Sequence, residues 1–291
     1  MGTLCKNWTQ WLMETRFSAL TDDLKSQTMA WLDSVGTAVV NMAQIQADDT
    51  VLDIGTGTGL LAFKAMEILE NLNGQGKVIF SDKFADCLTT CEGFLKDNDT
   101  KVKYEFLNSA CDDFNLADGV IDKALMRSVL VHIPDKQTSI NEIYRVLKVG
   151  GFFCAFEPII RSNTRYWELL DPQYIENYYE FKDAENKIMS DNTDSLSNFD
   201  DMTLKDNMIK AGFSDTSTMV HAIESKYVVT REMIMPWFVS PPSPDRPCMR
   251  DRFMMFFDEK KVDKYILDMQ NYLEGREISL KTNSVLIHAT K

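Results

Sequence analysis

The sequence predicts an α/β fold, a mostly parallel sheet with helices on its faces, and three observations predict it. Val51, Leu52 and Ile54 make a short apolar strand that runs into Gly55, Gly57 and Gly59, and an unbroken helical run follows from Leu60 to Leu69. Strand, glycine turn and helix open a nucleotide-binding α/β unit. Short apolar strands and helical runs then alternate as far as Leu147. After Gly150-Gly151, which read as a helix stop, comes a further apolar strand leading to Glu157-Pro158.

In chain order, residues 1–46 read as helices: Trp8, Trp11, Leu12 and Phe17 recur at helical spacing, as do Met29, Leu32, Val35, Val39 and Met42. Arg16 and Phe17 are candidates to reach inward towards a substrate; a packing aromatic and a surface charge are the equal alternative. Gly74-Gln75-Gly76 ends the helix that follows the glycine turn. Lys77–Asp82 is the second strand, Ala85–Lys96 a helix, Val102–Leu107 the third strand and Gly119–Leu125 the fourth. A helix begins at Asp135 or Lys136 and runs to Leu147. Beyond Arg161 the composition changes, with aromatics at Tyr166, Trp167, Tyr174, Tyr178, Tyr179 and Phe181, so 162–198 reads as an inserted helical cover. Phe199–Ala211 is a helix stopped by Gly212, Ser217–Val229 holds the sixth strand and Ser284–Ala289 the seventh. Between those two strands lie Trp237, a cluster of prolines and an amphipathic helix, Asp258–Leu273.

The resulting division is a helical lid segment at 1–46, a core at 47–161, lid insertions at 162–198 and 230–278, the core continued at 199–229, and a last core strand at 279–291. Tyr166 and Trp237 are the lid's candidate substrate contacts; packing of the lid onto the domain is the alternative role.

Composition narrows the function. The chain has 291 residues and a net charge of −13. That balance opposes a broad nucleic-acid footprint, which needs a basic face. No apolar run reaches the length of a membrane span. Six scattered cysteines with no leader before them point to a reducing cytoplasm. Cys87 and Cys91 share a helix face, which suits a soft metal or, more commonly, a pair of buried small residues; no metal is expected.

The glycines run G-x-G-x-G, unlike the G-x-G-x-x-G of dinucleotide sites. An acid, Asp53, precedes them, and it would repel a pyrophosphate while suiting a ligand with a cationic end. This stretch resembles the first motif of class I S-adenosylmethionine-dependent methyltransferases, whose ligand carries an ammonium and a sulfonium. Arg145-Val146-Leu147-Lys148-Val149-Gly150-Gly151 is similar to a later segment of the same class, with Val149 where proline is usual. The resemblance covers 47–158 and is nearest to the small-molecule enzymes of quinone and secondary-metabolite biosynthesis. It implies a Rossmann-like seven-stranded sheet whose last strand is antiparallel.

The resemblance also implies roles for residues. Gly55, Thr56, Gly57 and Gly59 form the cofactor loop with Asp53. Asp82, with Lys83 beside it, ends the second strand, where a carboxylate accepts both ribose hydroxyls. Cys111 and Asp112 occupy the adenine loop, with Ala110 where the usual acid is expected. Arg127 and Ser128 face the cofactor carboxylate or the methyl end. His132 is a candidate general base, or a histidine packed under its loop. Glu157 is a candidate catalytic or substrate-binding acid, or the cap of a turn. The expected reaction is methyl transfer from S-adenosyl-L-methionine to a small-molecule acceptor, leaving S-adenosyl-L-homocysteine, with no nucleic-acid or membrane partner and a homodimer compatible with the sequence. The competing readings are a catalytically silent S-adenosylmethionine-binding protein and a nicotinamide-dependent oxidoreductase.

Overall fold

The computed structural model describes residues 3–14, 22–242 and 246–291. Arg16 and Phe17 lie outside the described residues. The chain divides into two compact units, one of Met1–Glu157, Asp201–Val220 and Val285–Lys291, the other of Pro158–Asp200 and His221–Ser284.

In the first unit, α1 (Thr3–Glu14) and α2 (Asp22–Ala43) precede β1 (Thr50–Ile54), α3 (Leu60–Leu72), β2 (Lys77–Asp82), α4 (Ala85–Lys96), β3 (Lys103–Asn108), β4 (Ile121–Arg127) and α5 (Lys136–Val146). β5 (Leu147–Pro158) then enters the sheet. After α6 (Tyr178–Met189) and α7 (Asp201–Ala211) come β6 (Ser214–Val228), α8 (Arg231–Val239), α9 (Met249–Phe253), α10 (Glu259–Leu273) and β7 (Glu277–Thr290). The sheet has seven strands in the order β3-β2-β1-β4-β5-β7-β6, with β7 antiparallel. β1 pairs in parallel with β2 on one side and β4 on the other. Strand order therefore reverses at β1, and the carboxyl ends of β1, β2 and β4 open on the crevice where such sheets bind ligands.

The apolar residues of α3 explain its place. Leu60, Leu61, Phe63, Met66 and Leu69 are buried, in one core with Val51 and Val78 of the sheet and Leu4, Trp8, Leu12, Leu32 and Val39 of α1 and α2. Phe63 is the hub, with ring centroids 4.8 Å from Phe94 and 5.5 Å from Phe80. The first helices thus pack into the core of the sheet unit. The segments expected as insertions, 162–198 and 230–278, fall in the second unit, which has its own apolar core around Phe181, Phe238, Phe253 and Tyr265. Phe181 and Tyr265 stack at 3.9 Å.

The double glycine behaves differently from the expectation. α5 ends at Val146 and β5 begins at once, with the pairing register jumping from Ile121↔Leu147 to Lys123↔Phe152. Gly150 and Gly151 lie inside this irregularity, Gly150 at φ +78°. They serve a bulge in the strand, not a helix stop. Both late strands also start earlier than the sequence pattern indicated; β6 is largely exposed and carries little periodic signal, and the added first residues of β7 are mostly exposed as well.

Candidate functional site

The site is built on the turn between β1 and α3. Gly55, Gly57 and Gly59 all have positive φ, at +63°, +54° and +92°. Two of the three have no room for a side chain: a Cβ on Gly55 would sit 2.4 Å from Val129 Cγ2, and one on Gly59 would sit 2.3 Å from the Phe63 ring. Gly57 is different, since a Cβ there would meet nothing nearer than Gly55 O at 4.0 Å. The loop is therefore packed at its two ends and open at its middle. Such a surface fits a ligand laid against bare backbone.

Asp53 braces this loop from within. It is 2% exposed, and its Oδ2 accepts from the Thr56 hydroxyl at 2.7 Å and the Ala62 amide at 3.0 Å. Burial pushes its carboxyl up to about 7, against the pull of those two donors. The carboxylate that the sequence assigns to a cationic ligand thus also sets the loop's shape. Thr56 is held a second time, its N–H donating to Ser81 O on β2 at 2.9 Å.

Asp82 ends β2 beside the same loop. Its Oδ2 accepts from the Gly57 amide at 3.0 Å and its Oδ1 from the Phe84 amide at 2.9 Å. Each oxygen keeps a further lone pair for a ligand hydroxyl. The loop after β3 is tied to the same spot, because the Ser109 amide and the Asn108 side chain both donate to Asp82 O. On that loop the Cys111 thiol donates to Ser139 Oγ at 3.4 Å and is pushed up to about 11 by burial. Asp112 is exposed. Lys83 is also exposed, its ammonium 4.6 Å from the centre of the Phe84 ring.

At the end of β4, Ser128 takes φ +56° while its N–H donates to Phe156 O at 2.8 Å. The Arg127 guanidinium lies 5.7 Å from the centre of the Trp31 ring, and Trp31 packs edge-on against Phe156. Trp31 is exposed and lies off the apolar spacing of Met29, Leu32, Val35 and Val39, so the sequence did not single it out. Glu157 is fully buried at the tip of β5. Its Oε1 accepts from the amides of Val129 at 2.8 Å and Leu130 at 3.0 Å, and its Oε2 from Val131 at 3.1 Å. Burial pushes it up to about 7, while the three donors and Lys136 pull it down. Glu157 therefore clamps the short helical turn Leu130–His132, and both its oxygens are engaged in doing so. These bonds are made to a preceding turn, where the sequence offered the cap of a turn beside a catalytic or substrate-binding acid. His132 closes that turn, half-buried, its N–H donating to Val129 O.

Tyr166 and Trp237 are brought together in the second unit. Their rings are parallel at 5.9 Å, and the Tyr166 hydroxyl donates to Trp237 O at 3.0 Å. Among the described residues, no cluster of three or more potential metal ligands exists and no helix is long and apolar enough to cross a membrane. Of the two cysteines on the α4 face, Cys91 is buried, its thiol donating to Gly57 O at 3.5 Å, and Cys87 is half-buried.

Comparison with known proteins identifies the family. The methyltransferase-domain family matches residues 45–226. The ubiquinone/menaquinone biosynthesis C-methyltransferase UbiE of Xylella fastidiosa is 30% identical over 112 residues, 38% of this chain and 43% of that protein. The Xanthomonas oryzae enzyme of the same name is 29% identical over the same shares. The matched stretch thus spans less than half the length of these relatives. Among solved structures, Bacillus subtilis YcgJ is 17% identical with a TM-score of 0.58, covering 89% of this chain and 98% of that one. Haemonchus contortus phosphoethanolamine N-methyltransferase 2, solved with phosphomonomethylethanolamine and S-adenosylhomocysteine, is 16% identical with a TM-score of 0.50, over 98% of this chain and 60% of its own. The family match covers more than half of the chain and the sheet order agrees with it, so the chain belongs to the methyltransferase-domain family and has the Rossmann-like fold of class I S-adenosylmethionine-dependent methyltransferases.

Proposed function

We propose that the chain transfers a methyl group from S-adenosylmethionine to a small-molecule acceptor. The observation that carries this is the open middle of the glycine loop, with Gly57 hydrogen-bonded to Asp82 and Thr56 to Asp53. Asp82 would take the ribose hydroxyls with its remaining lone pairs. The loop holding Cys111 and Asp112 would border the adenine, and Arg127 and Ser128 the carboxylate end. Bound S-adenosylmethionine supplies an activated methyl group on a good leaving group. The protein's own tasks are then to align the acceptor, exclude water and, for a carbon or oxygen acceptor, accept a proton. His132 is our candidate for that last task, since both oxygens of Glu157 serve the clamp. Tyr166 and Trp237, as a rigid aromatic pair, are our candidates for acceptor recognition, in the segments we assign to a lid.

The names of the bacterial relatives point to carbon methylation of quinone precursors, and that acceptor class is the first to try. Titration calorimetry with S-adenosylhomocysteine tests the cofactor reading. Binding by the natural chain and a loss of at least tenfold in Asp82→Ala is expected. No binding, or an unchanged Asp82→Ala, overturns it.

A further inference from the structure

The peptide joining Thr58 to Gly59 is pinned on both sides. Its N–H donates to Thr56 O at 2.8 Å. Its carbonyl accepts, at 2.7 Å, from the indole Nε1 of Trp8, a residue of α1 and fifty positions away in sequence. Trp8 is 4% exposed and its ring lies 6.4 Å from Phe63, the side chain that fills the space under Gly59. α1 is anchored a second time where the Cys5 amide donates to Glu67 Oε1 on α3 at 2.7 Å. A glycine at φ +92° has few steric barriers to rotating the peptide that precedes it. A rotated Thr58–Gly59 peptide would leave the Trp8 N–H and the Thr56 carbonyl unpaired in a region with little water. The indole therefore holds a peptide of the loop that its own glycine leaves free to turn.

We infer that Trp8 is a positioning residue for the S-adenosylmethionine site, its indole N–H locking the Thr58–Gly59 peptide and so making the ligand-ready shape of the glycine loop depend on the docking of α1. Trp8 acts through the loop and not on the ligand. The inference rests on the cofactor reading proposed above. It adds that the first helix of the chain is part of the cofactor site's machinery.

The test compares Trp8→Phe, which keeps a ring and deletes the N–H, with Trp11→Phe. Trp11 lies on the same helix but packs on Phe94 of α4, with centroids 5.9 Å apart. Two quantities are measured on the full chain: the Kd for S-adenosylhomocysteine by calorimetry, and amide hydrogen exchange of residues 55–63 without ligand. Trp8→Phe is expected to raise Kd about five- to twentyfold and to speed exchange at Gly59, while Trp11→Phe changes both less than twofold. Should Trp8→Phe not accumulate as folded protein, Trp8→Met, apolar and without a donor, takes its place. Unchanged Kd and exchange in the Trp8 variant overturn the inference, as does an equal effect in Trp11→Phe, which would mean that α1 only stabilises the fold. A natural chain that does not bind S-adenosylhomocysteine overturns the cofactor reading and this inference with it. Binding by the natural chain and the Trp8 variant alike overturns this inference alone.

Discussion

Asp53→Asn should make the protein more stable at alkaline pH. Asp53 is buried, and burial holds its carboxyl at about 7 against an ordinary 3.8. An acid held up in this way binds its proton more tightly in the folded chain than in the unfolded one. Stability therefore falls as pH rises from about 4 to about 7, and the full cost is present above 7. At about 1.4 kcal/mol per pH unit, that cost is about 4 kcal/mol. Both hydrogen bonds the side chain accepts fall on one oxygen, Oδ2. Asparagine can put its carbonyl oxygen there and keep the Thr56 and Ala62 contacts. The new amide nitrogen replaces Oδ1, and imperfect pairing of that group returns about 1–2 kcal/mol. The net expectation is a gain of about 2–3 kcal/mol at pH 8, vanishing at pH 5, where the natural side chain is mostly protonated. Urea unfolding at the two pH values measures it, as a shift in midpoint at constant slope. A variant no more stable than the natural chain at pH 8, or a gain of the same size at pH 5, would refute the claim that the buried charge is the cost.

Three further outcomes follow from the site. Gly57→Ala should cost about 1–2 kcal/mol of stability, from positive φ alone, yet abolish measurable S-adenosylhomocysteine binding; Gly59→Ala, whose Cβ meets the Phe63 ring at 2.3 Å, should cost more and lower the melting temperature visibly in calorimetry. Glu157→Ala leaves the amides of Val129, Leu130 and Val131 without their acceptor and should destabilise by about 3 kcal/mol or more in urea, with Glu157→Gln in between. His132→Ala should lower kcat at least a hundredfold on a carbon or oxygen acceptor while leaving Kd for S-adenosylhomocysteine unchanged, and an unchanged kcat removes His132 as the base.

What could be read from the sequence was what lies close together in it. The turn from Val51 to Leu69 announces its geometry within a few residues, because positive φ demands glycine and the following helix shows its apolar face locally. Asp82 was legible because a strand end next to a glycine turn has a fixed place in a parallel sheet. What depends on long-range contact was not. Glu157 was left between two roles, and the amides that hold it lie 26–28 positions earlier. Trp8 read only as one more residue of an amphipathic helix, since nothing local says that an indole will meet the Thr58 carbonyl. The double glycine was misread for the opposite reason. A helix stop and a strand bulge ask the same thing of the backbone, and only the pairing register of β4 with β5 separates them.

Ser128 holds a left-handed backbone without being a glycine, and that choice has a cost. A side chain in this conformation forfeits about 1 kcal/mol that glycine would keep, so Ser128→Gly should yield a sturdier protein. It would also yield a looser one. The serine narrows the conformations open to the mouth of the crevice, and the bonds of the neighbouring turn to Glu157 hold it there after folding. The protein gives up some robustness at this corner and holds the Ser128 amide on Phe156 O before any ligand arrives.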